Sequence, residues 1–94
     1  MDGSEKPQFR TVIESEVFQA QCRRIRDDIP LWDEVLFRFK DAVSRRPDLK
    51  EPLPGTDVCY WPIDIPQYGI RGGFLIWFRY DDDNVYLEGI QRLV

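Results

Sequence analysis

Two hydrophobic rhythms divide this chain. Between residues 16 and 46 apolar side chains return every three or four positions. From residue 58 onward the pattern takes the two-residue period of a strand. Phe18, Cys22, Ile25 and Ile29 fall on one face of a helix, with Gln21, Arg23, Arg24 and Asp27 opposite. Ser15, just ahead of this pattern, suits an N-cap, Glu16 suits the positive end of the helix dipole, and Pro30 closes the helix. Trp32, Leu36, Phe39 and Val43 repeat the spacing, widened by Val35 and Ala42. Arg45 and Arg46 suit the C-terminal end of that second helix, and Pro47 follows as a stop. So short a connection at Pro30 implies an antiparallel helical hairpin.

The strand signals lie on either side of this hairpin. Phe9 to Glu14 contains the β-branched run Thr11-Val12-Ile13 and reads as a first strand. A loop rich in Pro and Gly follows the helices from Asp48 to Asp57. Val58 to Ile65 then reads as a strand, and because Pro62 cannot donate to a ladder this strand belongs at an edge or carries a bulge. Pro66 ends it, and Gly69 to Gly73 reads as a second loop. In the tail, Phe74, Ile76, Phe78 and Tyr80 share one face while Leu75, Trp77 and Arg79 share the other. Apolar residues on both faces predict a central strand covered, at least partly, on both sides. Asp81-Asp82-Asp83-Asn84 reads as a polar turn returning the chain into Val85 to Val94. The fold class expected is α+β: an N-terminal strand, a two-helix antiparallel hairpin, then a three-stranded antiparallel C-terminal sheet. The polar residues 1–8, with Pro7, are expected to be a flexible lead-in to a single domain over 9–94.

Composition narrows the chemistry. With 94 residues and 43% hydrophobic content the chain can fill one core, to which 13 aromatic residues contribute. A formal charge of −4 argues against sequence-independent nucleic-acid binding, which draws its affinity from neutralised phosphates. Ten of the 13 basic residues are arginine, so local anion sites stay open. The lack of histidine and of any CxxC pair argues against a zinc site and against imidazole mechanisms, and no cofactor is expected. Cys22 and Cys59 could bridge, but without a secretory signal they read as two buried thiols. No apolar run is long enough to span a bilayer, and a cytoplasmic location is expected.

Several arginines invite a functional reading, each beside a plainer one. Arg71-Gly72-Gly73 suits an anion held against a close backbone, and equally a simple bend into a strand. Arg79 sits near the acidic turn, whose aspartates are its expected partners, while Arg92 lies near the C-terminus. Arg23, Arg24 and Arg26 read as a solvated face offset by Asp27 and Asp28. The acidic run itself lacks the spaced ligands of a calcium loop. No Ser/His/Asp set, paired-carboxylate motif or phosphate-binding loop can be assembled.

The order of elements, together with Gly72-Gly73-Phe74-Leu75-Ile76-Trp77-Phe78 and Val85-Tyr86-Leu87-Glu88-Gly89-Ile90, resembles the RelE/ParE superfamily of toxins from bacterial toxin–antitoxin pairs. Members place an arginine where this chain has Leu75; Arg71 and Arg92 match basic positions before the glycines and after the last strand. The resemblance covers about residues 9 to 92. It implies the toxin of a type II pair, possible activities being ribosome-dependent, metal-independent mRNA cleavage or DNA gyrase inhibition; a non-catalytic binding module on the same scaffold is the alternative. A cognate antitoxin is the implied partner, with the ribosome and mRNA or gyrase as target. For RNA cleavage the implied site residues are Arg71, Arg92 and Arg79, with Tyr86 or Tyr68 supplying a hydroxyl.

Overall fold

The computed structural model describes residues 9–66 and 69–93, and for residues 70–72 it describes the backbone. The expected lead-in over residues 1–8 lies outside the described residues. The chain runs β1 (Thr11–Glu14), α1 (Glu16–Asp28), α2 (Trp32–Arg45), a 3-10 turn (Pro47–Leu49), β2 (Cys59–Ile65), β3 (Ile70–Tyr80) and β4 (Asn84–Arg92).

The α+β class holds, and the sheet differs from expectation. Antiparallel β2, β3 and β4 do form the C-terminal sheet, but β1 joins it in parallel beside β4, giving four strands in the order β1-β4-β3-β2. A parallel partner needs a long crossover, here the helical hairpin with β2 and β3. Periodicity shows which face a strand buries, not which strand lies beside it. Val12 meets Val85 in this pairing.

Ser15 caps α1 as its position suggests. Its hydroxyl accepts the Phe18 N–H at 3.0 Å and donates to the Glu88 carbonyl at 3.1 Å, while its own N–H bonds the Leu87 carbonyl at 3.1 Å. One residue thus ends β1, starts α1 and fixes both against β4. α1 buries Phe18, Cys22 and Ile25, and α2 buries Trp32, Leu36, Phe39 and Val43. They meet Ile76, Phe78, Val85 and Leu87 of the sheet in one core. Trp32 packs on Phe74 with ring centroids 5.2 Å apart, and Phe39 on Trp61 at 5.6 Å. Cys22 and Cys59 are buried free thiols, and burial pushes both pKa values up. The fully buried Trp32 indole N–H lies against the Cys22 sulfur, a weak acceptor, without reaching hydrogen-bond geometry.

β2 is an edge strand with a register shift between Ile63 and Ile65, as Pro62 requires. The loop expected at 69–73 is shorter than predicted. Gly69, at φ 68°, donates to the Pro66 carbonyl at 2.9 Å and turns the chain tightly enough for Ile70 to pair with Ile65. Arg71, Gly72 and Gly73 therefore belong to β3.

β3 is central, and among the described residues its helix side is fully covered while its other side is covered only in part. Phe74, Ile76 and Phe78 lie under the helices, whereas Leu75 is half-buried, Trp77 is 37% exposed and Arg79 is exposed. A second shift, where the partners step from Trp77–Gly89 to Phe78–Leu87, leaves Glu88 as an extra residue in β4. The bulge resets parity, so Val85, Leu87 and Ile90 all reach the core despite uneven spacing.

Candidate functional site

Arg79 and Tyr86 are cross-strand partners at the turn end of β3 and β4, with the guanidinium carbon 5.9 Å from the ring centre. Two acidic side chains hold this guanidinium. Glu88, displaced by the bulge, accepts from Nε at 3.1 Å and from a terminal nitrogen at 3.0 Å; Asp57 approaches the other terminal nitrogen at 3.7 Å. The Glu88 hydrogen bond raises the Arg79 pKa further above its usual value. The turn aspartates expected to bind Arg79 do not. Asp81 Oδ1 accepts from the backbone N–H groups of Asp83 and Asn84, and Oδ2 accepts from the Tyr86 hydroxyl at 3.0 Å. That hydroxyl also accepts from the Asn84 amide at 3.2 Å. Tyr86 is thus tied into the turn.

Arg92 sits at the far end of β4, six residues and on the order of 20 Å of extended chain from Tyr86. It is opposite Phe74, toward the helices, with its guanidinium carbon 5.4 Å from that ring and its Nη1 3.2 Å from the Asp28 carboxylate of α1. Arg79 and Tyr86 lie on the other face. The structure therefore brings Arg79 and Tyr86 together and keeps Arg92 apart from both. Arg71 has its backbone in β3, and its side chain lies outside the described residues, as does all of Tyr68.

The chain matches no protein-family model, no curated protein and no solved structure.

The basic cluster on α1 separates into distinct roles. Arg26 pairs with Asp33 of α2 at 2.6 Å instead of with Asp27, and Asp28 pairs with Arg92. Arg23 and Arg24 have no carboxylate partner among the described residues. Clefts open at three places on the described surface. One of about 350 Å³ lies between α2 and the β2 edge, floored by Val35, Phe39, Ala42 and Trp61. One of about 450 Å³ separates the two helices, where Glu14 pairs with Lys40. The third, about 350 Å³, lies between α1 and the end of β4 and contains Gln21, Arg24, Asp28 and Arg92. Gln21 and Arg24 are its unexpected members, since both read from sequence as solvated helix positions. Among the described residues no group of three acidic or thiol side chains is placed to hold a metal, and no helix is long and apolar enough to cross a membrane.

Proposed function

We propose that this protein is a partner-binding module on a RelE/ParE-like scaffold, keeping the toxin architecture without nuclease chemistry, in the cytoplasm. The observation that carries this reading is the state of those candidate catalytic groups whose side chains are described, Arg79, Arg92 and Tyr86. Arg79 lies between Glu88 and Asp57, Arg92 is paired with Asp28, and the Tyr86 hydroxyl donates to Asp81. Stabilising a phosphate transition state asks for cations preorganised around one point and free to face it. Arg79 and Arg92 are divided between two faces, and each is already engaged by a carboxylate of this chain. Leu75 in place of the family's arginine and the net charge of −4 work in the same direction. Surface for a partner is present: Trp77 and Tyr60 stand edge to face at 5.7 Å on the open side of the sheet, and the α2–β2 cleft has an apolar floor.

The second reading is an active toxin with a cognate antitoxin, cleaving mRNA on the ribosome or inhibiting gyrase. It is favoured by the succession of one strand, two helices and three strands, and by Gly72-Gly73-Phe74 in β3.

One experiment separates the two. The chain is induced in cells with and without the product of the adjacent short reading frame, and growth and transcript integrity on translating ribosomes are followed. The binding reading expects continued growth, intact transcripts and a stable complex with that product. Growth arrest with cleaved transcripts, lost on Arg71→Ala or Arg92→Ala, would replace it with the nuclease; arrest with intact transcripts would point to gyrase.

A further inference from the structure

β1 is shorter than the strand it accompanies, covering β4 only from Asn84 to Leu87. Beyond that point the outward backbone groups of β4 turn to side chains. Ser15 donates to the Glu88 carbonyl, and Gln21 Oε1 accepts the Ile90 N–H at 2.7 Å. The β3–β4 ladder sets the direction of the groups nearer the C-terminus. The Leu93 N–H bonds the Gly73 carbonyl at 2.8 Å, so Phe74–Arg92 and Ile76–Ile90 are non-hydrogen-bonded pairs whose backbone groups point away from β3. The Ile90 carbonyl and the Arg92 N–H therefore form a short strand edge, on the side where β1 would continue if it were longer.

This edge borders the cleft between α1 and β4. The cleft is lined by the apolar Ile25 and Ile90, and it holds two arginines against one aspartate on a chain that is acidic as a whole. Among the described residues Arg24 has no carboxylate, and Arg92 has only Asp28. An acceptor followed by a donor at strand spacing matches a peptide backbone, and the unbalanced positive charge selects an acidic one.

We propose that this cleft binds an extended acidic segment of a partner protein, added beside β4 where β1 stops. The segment donates an N–H to the Ile90 carbonyl and accepts from the Arg92 N–H. An aspartate or glutamate side chain of the segment then lies between the guanidinium groups of Arg24 and Arg92. The inference rests on the partner-binding reading and names the chemistry the partner must bring.

The test titrates the full ¹⁵N-labelled chain with a capped peptide of alternating valine and glutamate, with its lysine counterpart, and with acetate. The glutamate peptide is expected to shift the amides of Ile90, Gln91 and Arg92, to slow hydrogen exchange at Arg92, and to bind roughly tenfold more weakly to Arg24→Glu. The lysine peptide is expected to leave these signals in place. Equal binding of both peptides, unchanged affinity in Arg24→Glu, or acetate shifts as large as the peptide's with no protection of the Arg92 amide would each overturn the proposal. A partner that binds elsewhere and leaves residues 90–92 unshifted would overturn this inference alone, with the partner-binding reading intact.

Discussion

Asp81 shows how much one carboxylate can do in a tight turn. Its Oδ1 accepts the N–H groups of Asp83 and Asn84 at 2.9 and 2.8 Å, its Oδ2 accepts the Tyr86 hydroxyl, and Arg10 donates to its carbonyl at 2.7 Å. The backbone donors, Asp83 first, hold its carboxyl below the ordinary aspartate value of 3.8. A folded-state pKa below the unfolded one stabilises the turn above the unfolded value, and that support goes as pH falls through the folded value. In an NMR titration the amides of Asp83 and Asn84 should move together with a midpoint below 3.8; a midpoint at or above that value would show the carboxylate is not the acceptor. The acidic run is legible in the sequence as turn chemistry, but which aspartate does the work is not. Nor is the partner of Arg79, because Glu88 reaches it only through a bulge that no local pattern announces.

At the scale of elements, the junction at Ser15 couples three of them, and its hydroxyl has two separable duties. Ser15→Ala loses the cap of α1 and leaves the Glu88 carbonyl without its donor. It should cost about 1–2 kcal/mol in urea unfolding. Ser15→Asp keeps an oxygen for the Phe18 N–H but, ionised, has no proton to give Glu88, so its cost should fall between wild type and Ser15→Ala. Equal costs for the two variants would mean that the cap contributes little. Both helices could be read to within a residue or two, since Phe18, Cys22 and Ile25, then Trp32, Leu36 and Phe39, share faces at a period no strand can use. The place of β1 could not. A four-residue strand carries too few alternations to name its neighbour, and its pairing with β4 depends on contacts more than 70 positions away. The candidate site was legible only as separate arginines, because their spacing along the chain says nothing of the faces they occupy once β4 gains an extra residue at Glu88.

The described residues build two layers, helices over one face of the sheet, and none of their elements covers the other face. That asymmetry makes neighbouring residues on β3 behave oppositely. Phe78 is fully buried, with rings 6.5 Å from Phe39 and 6.3 Å from Trp61. Phe78→Ala should therefore cost about 3–5 kcal/mol, through lost burial and the cavity left behind. Trp77, one position earlier, faces out beside Tyr60 and remains 37% exposed. Trp77→Lys should cost about 1 kcal/mol or less, since it loses only a partly solvated cross-strand contact. Paired chemical denaturation of the two variants decides the question. A Trp77→Lys loss approaching that of Phe78→Ala would mean the outer face is covered by a second layer, for instance another copy of the chain. In that case the unfolding midpoint of the wild type would rise with protein concentration. A midpoint independent of concentration, with a small Trp77→Lys effect, leaves this face available to a partner, and it makes the aromatic pair on β2 and β3 a surface distinct from the acidic-segment cleft at the end of β4.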